Sequence, residues 1–265
     1  MRHKIKQRIQ YNPGETFYLK PFFDIHWGST ACDKAAFKRD LAATDDYTFL
    51  FFGGDLLDAI VVTDPRYRKS GDDTKSDAII NNITNEMVAV LKPYTHRIIA
   101  IGKGNHEDNL TKKSGFDIIK EICRRLKVPD AGYSGLFKMI FSYKGGRGRT
   151  VTVRYHHGWG GGSRTQGADL TKFSKDLTYW DADLFLYGHV HRKQTDEVER
   201  MGLCGDELIS KPKVLCICGT YLKTYTNSVQ PTYSEKCGYP PVAIGGVRVS
   251  IKPIDKWVKM KAFLD

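Results

Sequence analysis

Residues 48–55 read Thr48-Phe49-Leu50-Phe51-Phe52-Gly53-Gly54-Asp55, an apolar run that stops at two glycines and a carboxylate. A short, nearly continuous apolar run bounded by turn residues is typical of a buried strand in a parallel sheet. Two similar runs, 17–23 and 97–101, lead into Asp24 and Asn105. The three runs predict buried strands whose polar residues follow each strand end.

Segments with helical periodicity lie between and after these runs. Apolar residues recur at helical spacing within 33–46, 76–92 and 116–127, and such alternation of strand and helix indicates a parallel sheet covered by helices. From residue 136 the chain becomes strand-rich, with strands predicted at 137–143, 150–155, 184–187, 213–218 and 242–251 and a helix near 168–177. We expect one domain over 1–265, with a motif core at 24–191, a strand-rich part at 192–265 and an exposed insertion at 60–75.

Composition limits the class of protein. The chain has 265 residues, with 41 Lys and Arg against 30 Asp and Glu, a formal net charge of +11. That excess favours phosphate-bearing partners, with DNA or RNA among the candidates. No window approaches the roughly 18 apolar residues of a membrane span, so we predict a cytoplasmic protein without membrane contact. Its six cysteines are expected to be reduced structural thiols.

Five polar blocks follow the predicted strands. Parallel strands deliver the residues after their carboxyl ends to one edge of the sheet, so the blocks should form one site. On extended backbone, residues two apart point the same way, which would let Asp24 and His26, and likewise His189 and His191, face one centre. Carboxylate, imidazole and amide donors suit Mn, Fe or Zn. The blocks are Asp24-Ile25-His26, Gly54-Asp55-Leu56-Leu57-Asp58, Gly104-Asn105-His106-Glu107, His156-His157-Gly158 and Gly188-His189-Val190-His191.

In this order, the blocks resemble the calcineurin-like metallophosphoesterase superfamily, whose pattern is DxH, GDxxD, GNH(D/E), a later H before a small residue, and GHxH. The resemblance spans residues 24–191 and implies an α/β fold, a four-layer sandwich of two mixed β-sheets flanked by helices. It also implies two divalent metal ions, Mn first, with Fe, Zn, Ni or Mg as alternatives. One ion would be held by Asp24, His26 and His191, the second by Asn105, His157 and His189, and Asp55 would bridge them.

The resemblance assigns two further residues to catalysis. His106 would stabilise the transition state or protonate the leaving alkoxide, and Asp58 would orient His106. His157 is chosen as the ligand over its neighbour His156 because it directly precedes Gly158, and His156 would then support the site or lie in the core. Glu107 is expected to supply negative charge at a helix N-terminus.

Two features leave their roles open. The loop after His157 offers Gly160, Gly161 and Arg164 as substrate-binding groups, although a plain connecting loop explains the same residues. The predicted hairpin with basic residues at 138–154 is either a phosphate-facing surface or a charged edge that resists strand pairing.

We therefore expect a two-metal phosphodiesterase that acts on nucleic acid or a nucleotide by in-line attack of a metal-bridging hydroxide. The motif style is nearest to the DNA-repair exonuclease branch of the superfamily. Ser/Thr protein phosphatases instead require GDxxDRG, whereas Ala59 and Ile60 follow Asp58 here. The alternatives are a phosphomonoesterase for a nucleotide, phosphoprotein or small metabolite, and a catalytically degenerate metal-binding scaffold.

Overall fold

The computed structural model describes residues 2–59, 79–143, 146, 148–228, 230–254 and 256–265. The predicted insertion at 60–75 lies outside these residues. The described chain contains the following elements in order: β1 (Arg2–Gln10), β2 (Phe17–Phe22), α1 (Lys34–Ala42), β3 (Thr48–Phe52), α2 (Ile79–Leu91), a 3₁₀ helix (Lys92–Arg97), β4 (Ile98–Gly102), α3 (Asn105–Ser114), α4 (Ile118–Leu126), β5 (Asp130–Gly132), β6 (Ser134–Ser142), β7 (Arg149–His156), α5 (Ala168–Ser174), α6 (Asp176–Tyr179), β8 (Leu184–Tyr187), β9 (Lys193–Cys204), β10 (Glu207–Cys218), α7 (Tyr233–Lys236), β11 (Val247–Pro253) and β12 (Val258–Leu264).

The strands form two six-stranded mixed sheets. The first has the order β12-β11-β2-β3-β4-β5, with β2 to β5 parallel and β11 antiparallel to β2. The second has the order β1-β6-β7-β8-β10-β9, with β7, β8 and β10 parallel. Buried strands β3 and β4 carry continuous apolar runs because both faces of the first sheet are covered.

Three apolar clusters separate four layers. The largest lies between the two sheets and includes Phe51 and Phe137. A second packs the outer face of the first sheet against α1, α2 and α4, for example through Phe37 and Ile122. A third packs the second sheet against α5 through Phe173. The predicted sandwich of two mixed sheets flanked by helices is therefore confirmed.

Sequence periodicity located the helices that cover the first sheet. In α4 the apolar residues fall on one face and are buried, Asp117 caps its N-terminus by accepting from Lys120 N at 3.2 Å, and Lys127 ends it in a left-handed conformation. The polar strands β1, β9 and β12 were not predicted, and neither was the full length of α3. None of the helices in the described part of the chain is both long and apolar enough to span a bilayer.

Candidate metal centre

Loops from both sheets meet at one edge of the sandwich. Asp24 follows β2, Asp55 follows β3, Asn105 opens α3 after β4, His157 follows β7 and His189 follows β8. All of these positions lie beyond the carboxyl ends of their strands, as the sequence predicted. The loops after β2 and β3 stay joined, because His26 N donates to Asp55 O at 3.0 Å.

The candidate ligands share an unusual backbone conformation. Six non-glycine residues in the described chain have a positive φ, and five of them are candidate ligands, the sixth being Lys127. This conformation costs an L-residue roughly 1–2 kcal/mol, and its concentration in one place is typical of functional sites. The prediction that Asp24 with His26, and His189 with His191, lie on extended backbone is therefore wrong. Both residues of each pair have left-handed backbone, and this sets the direction of their side chains. The five residues and their φ angles are Asp24 (50°), His26 (52°), Asp55 (48°), His189 (71°) and His191 (56°).

Two glycines allow the strand ends to approach closely. A Cβ on Gly54, which has a φ of 111°, would lie 2.6 Å from Gly104 N. A Cβ on Gly104 would lie 2.1 Å from Asp55 Oδ1. Both positions require glycine because a side chain on either would push the second and third blocks apart.

The first predicted group of donors comes together. Asp24, His26 and His191 each offer a ligand atom within 4.8 Å of the others. The Nε2 atoms of His26 and His191 are 3.3 Å apart, and His191 Nε2 lies 3.7 Å from Asp24 Oδ1. This spacing suits three donors that surround one cation.

The second predicted group lies beside it. Asp55, His157 and His189 form another set within 4.8 Å. Asn105 Oδ1 lies 3.0 Å from His157 Nε2 and 2.8 Å from His189 Nδ1. Asp55 Oδ2 lies 3.3 Å from His157 Nε2 and 3.8 Å from His26 Nε2, so this one oxygen faces both groups.

The chemistry of the donors fits a pair of divalent cations. Asp24 Oδ1 is buried and has no hydrogen-bond donor among the described residues, which leaves a carboxylate oxygen free for a metal ion. Burial lowers the pKa of His26, His191 and His189, the last to about 4. These rings are therefore neutral at neutral pH and keep the lone pair that a metal requires.

His106 and Asp58 lie together at the rim of this cluster. Asp58 Oδ1 is 3.0 Å from His106 Nδ1 and 3.5 Å from His26 Nδ1, so it contacts two imidazoles rather than the one predicted. Burial favours a protonated acid, yet hydrogen bonds with His106 and His26 hold the pKa of Asp58 below its usual range. His106 Nε2 then points toward the centre, 4.0 Å from Asp55 Oδ2. His106 also forms a third possible metal group with His26 and Asp55.

Glu107 lies in the first turn of α3, as expected for a charge at a helix N-terminus, and it also connects two of the polar blocks. It is completely buried. Its Oε2 accepts from Asp55 N at 3.1 Å and Gly104 N at 2.9 Å, and its Oε1 accepts from Leu57 N at 2.9 Å. Burial, followed by the nearby Asp55 charge, raises its pKa to about 7. Glu107 thus ties the second block to the third from beneath the site.

We expect Glu107→Gln to lower the free energy of unfolding by about 3 kcal/mol, because an amide cannot accept from all three N–H groups and presents its own donors to them. Urea denaturation at pH 8 in EDTA measures this loss without a contribution from metal. Glu121→Gln is the matched control, since Glu121 pairs with Arg124 at the surface, and its effect should stay below about 0.5 kcal/mol. Equal losses in the two variants would contradict the bridging role.

The structure places His157, and not His156, among the donors. His157 is fully buried against Asp55, whereas His156 Nδ1 accepts from Gly158 N at 2.8 Å and its ring contacts Trp159. Burial lowers the pKa of His156 to about 4. His156 therefore supports the loop that carries the donor.

The predicted substrate-binding loop starts beside the centre, where a Cβ on Gly158 would lie 2.7 Å from His189 Cβ. Gly162 packs near Val190, and Ser163 O accepts from Arg192 Nη2 at 2.9 Å. Gly161 O accepts from Lys172 Nζ at 2.8 Å, and a Cβ on Gly160 would lie 3.9 Å from the same ammonium group. Arg164 is exposed beside Gly238. The role of Gly160, Gly161 and Arg164 in substrate binding stays a prediction.

Two buried groups, Asp24 and His157, would hold protons at neutral pH until a metal ion displaces them. Burial raises the pKa of Asp24 to about 8. Burial disfavours a charged His157, but Asp55 at 3.3 Å outweighs it and raises the pKa of His157 to about 9. Both groups must lose their protons before they can bind a metal.

Metal affinity should therefore rise with pH between 6 and 8. Protons compete with the metal below the pKa of Asp24 and His157, and raising the pH removes that competition by up to tenfold per proton per pH unit. Calorimetric titration of Mn²⁺ in buffers of different ionisation enthalpy should detect between one and two protons released per chain at pH 7. A constant affinity across this range, with no proton release, would show that Asp24 and His157 do not bind the metal.

Comparisons with known proteins give only distant structural likenesses. No family model matches the chain, and no curated protein matches it. Among solved structures, Vps29 from Entamoeba histolytica in complex with Zn²⁺ is 13% identical, with 94% of this chain and 99% of that chain covered and a TM-score of 0.33. Vps29 from Cryptosporidium parvum is 16% identical, covering 96% and 100%, with a TM-score of 0.36. A metallophosphoesterase from Sphaerobacter thermophilus is 12% identical, covering 94% and 88%, with a TM-score of 0.40.

Proposed function

We propose that this chain is a metal-dependent phosphodiesterase that hydrolyses a phosphodiester of nucleic acid or of a nucleotide. The observation that carries the proposal is that two adjacent groups of donor side chains share Asp55, whose Oδ2 lies 3.8 Å from His26 Nε2 in one group and 3.3 Å from His157 Nε2 in the other, with the His106 imidazole at the rim. Asp24, His26 and His191 would hold one divalent ion, and Asn105, His157 and His189 the other. Two such ions, with Mn²⁺ as the first candidate, would supply Lewis acidity and a nucleophile of lowered pKa.

The residues of the chain position the reaction. Asp58 accepts from His106 Nδ1 and so leaves His106 Nε2 facing the donors, where it would donate a proton to the leaving oxygen. Glu107 holds the backbone of the Asp55 loop, and this fixes the shared carboxylate between the two groups.

A diester is favoured over a monoester by the local charge. No Lys or Arg forms a hydrogen bond or ion pair with the seven donors in the described part of the chain, and Arg164 lies exposed next to Gly238. A dianionic monoester gains more from added cations than a monoanionic diester does. This supports a substrate with a single negative charge on phosphorus.

The test compares two chromogenic esters with the Mn²⁺-loaded protein. We expect a higher kcat/KM on bis-p-nitrophenyl phosphate than on p-nitrophenyl phosphate. Asp196→Asn is a suitable control, because Asp196 is exposed on β9 and outside the centre, and it should leave both values unchanged. A preference for the monoester would identify a phosphomonoesterase, and no turnover of either ester with metal bound would favour a binding scaffold.

A further inference from the structure

A basic groove lies at the other end of the sandwich from the candidate metal centre. Its volume is about 460 Å³, and it is lined by the start of β7, the residues before β8, the middle of β9 and β10, and the residues before β12. Since His157 and His189 follow the far ends of β7 and β8, the groove and the centre are at opposite ends of the same two strands. At about 3.3 Å per residue, the eight residues of β7 separate them by roughly 25 Å.

The walls of the groove are cationic. Five of its side chains are basic and two, Asp181 and Asp183, are acidic. Both acids already have partners: Asp183 Oδ2 accepts from Thr152 N at 2.9 Å, and Asp181 pairs with Arg200 at 3.3 Å. Lys256 is likewise paired with Glu207, so an excess of two positive charges remains for a ligand. The basic residues are Lys138, Arg149, Arg200, Lys211 and Lys256.

Several donors in the groove lack acceptors. Lys138 and Lys211 form no ion pair with any described residue, and the Lys211 ammonium lies over the Trp257 ring, 4.5 Å from its centroid. The hydroxyl groups of Thr150 and Thr152 also line the groove. A ligand rich in anionic acceptor oxygens would satisfy this set.

The sequence left two roles open for the predicted basic hairpin at 138–154, and its basic residues do not all share one role. Lys138 and Arg149 face the groove, so they belong to a phosphate-facing surface. Arg154 does not, because it is buried, donates to Tyr155 O at 2.6 Å and stacks on Trp180. The hairpin is no sheet edge either, since β1 pairs with β6.

We propose that this groove binds the phosphate backbone of a nucleic acid strand, as a second binding surface outside the catalytic site. One strand of a DNA helix carries a phosphate about every 3.4 Å, so roughly 25 Å corresponds to about seven phosphates. Because β7 runs through the core, this is a minimum, and only a longer nucleic acid would contact the groove and the metal centre together. The surface adds affinity without reading sequence, because its contacts are charges and hydroxyl groups rather than base-edge readers.

The test measures binding of the whole chain to a fluorescein-labelled 30-nucleotide single strand in EDTA, by fluorescence anisotropy. For Lys138→Gln with Lys211→Gln, we expect Kd to increase on the order of tenfold at 0.1 M salt and the salt slope to fall by between one and two. The control pair is Lys92→Gln with Lys120→Gln, two exposed lysines on the helical layer of the first sheet, which should stay within twofold of wild type.

Other outcomes would overturn the proposal. An unchanged Kd in the groove pair would show that the strand binds elsewhere on the chain. An equal loss in the control pair would leave net charge as the only cause of binding. Displacement of the strand by poly-glutamate at equal charge would identify a site for acidic proteins instead. Because EDTA removes any hydrolysis, these results do not depend on the catalytic proposal. Melting temperature, together with unchanged turnover of any ester that wild type hydrolyses, verifies that the groove variant is folded.

Discussion

Replacing His106 with alanine is expected to lower hydrolysis of bis-p-nitrophenyl phosphate by about 10²–10⁴-fold, the range for loss of a general acid, while two metal ions stay bound. His106 Nε2 faces Asp55 Oδ2 at 4.0 Å, and Asp58 holds the opposite nitrogen at 3.0 Å. The ring is therefore placed to donate a proton from Nε2. Steady-state turnover and metal content of the same preparation measure the two effects together.

His96→Ala is the matched control for that variant. His96 is exposed and pairs with Asp46 at 3.9 Å, so its loss should leave turnover within twofold of wild type. Parallel loss of one metal ion and of turnover in His106→Ala would contradict the proton-donor role, because it would make His106 a ligand in the third donor group. Full turnover in His106→Ala would remove the residue from the reaction.

Replacing Asp55 with asparagine is expected to lower both metal affinity and turnover by more than about 100-fold, which exceeds the 10–100-fold typical of groups that merely orient a ligand. Asp55 Oδ2 faces both donor groups, and an amide removes the negative charge between two cations. Asparagine tolerates the left-handed conformation of this residue, so the backbone should be kept. Calorimetric metal titration and turnover check both losses.

The control for Asp55→Asn is Asp196→Asn, which also removes a carboxylate charge but lies on the exposed strand β9. It should bind two Mn²⁺ ions with wild-type affinity. If Asp55→Asn also bound two ions with unchanged affinity, Asp55 would not lie between them, and the two donor groups would have to act separately.

The positions of the donors could be predicted because they depend on strand order and strand ends. Apolar runs located β2, β3, β4 and β8, and the rule that ligands lie beyond carboxyl ends then brought Asp24, Asp55, Asn105 and His189 to one edge. His157 was chosen over His156 because it directly precedes Gly158, and the structure places His157 3.3 Å from Asp55. The conformation of these loops could not be predicted, since periodicity carries no information on φ.

Glu107 shows what a linear pattern cannot reveal. As the third residue of α3 it has the position of an exposed first-turn acid. Its burial follows from the close approach of Gly54 and Gly104, a contact between segments fifty residues apart that exists only once β3 and β4 have paired. The need for a buried acceptor comes from the N–H groups of Asp55, Leu57 and Gly104, which all donate to Glu107. The sequence does not show that these three groups lie together.

Strands β1, β9 and β12 were missed for a related reason. Strands β1 and β9 contain few apolar residues, and β9 is largely exposed. Strand β12 does alternate, with Val258 and Met260 buried between exposed lysines, but only over a short stretch. The extended conformation of β9 is set by its antiparallel partner β10 along its full length, because strand preference depends on neighbouring strands more than on intrinsic propensity. Arg200 of β9, together with Lys256 and Trp257 just before β12, lines the basic groove, so this part of the groove could not be predicted either.

The most direct test of a two-metal phosphodiesterase is a titration of chelator-treated, metal-free protein with Mn²⁺ while hydrolysis of bis-p-nitrophenyl phosphate is followed. We predict no turnover without metal and a rise that saturates at two equivalents per chain. Saturation of binding at two equivalents with no hydrolysis of this diester, or turnover that persists in the chelator, would contradict the account.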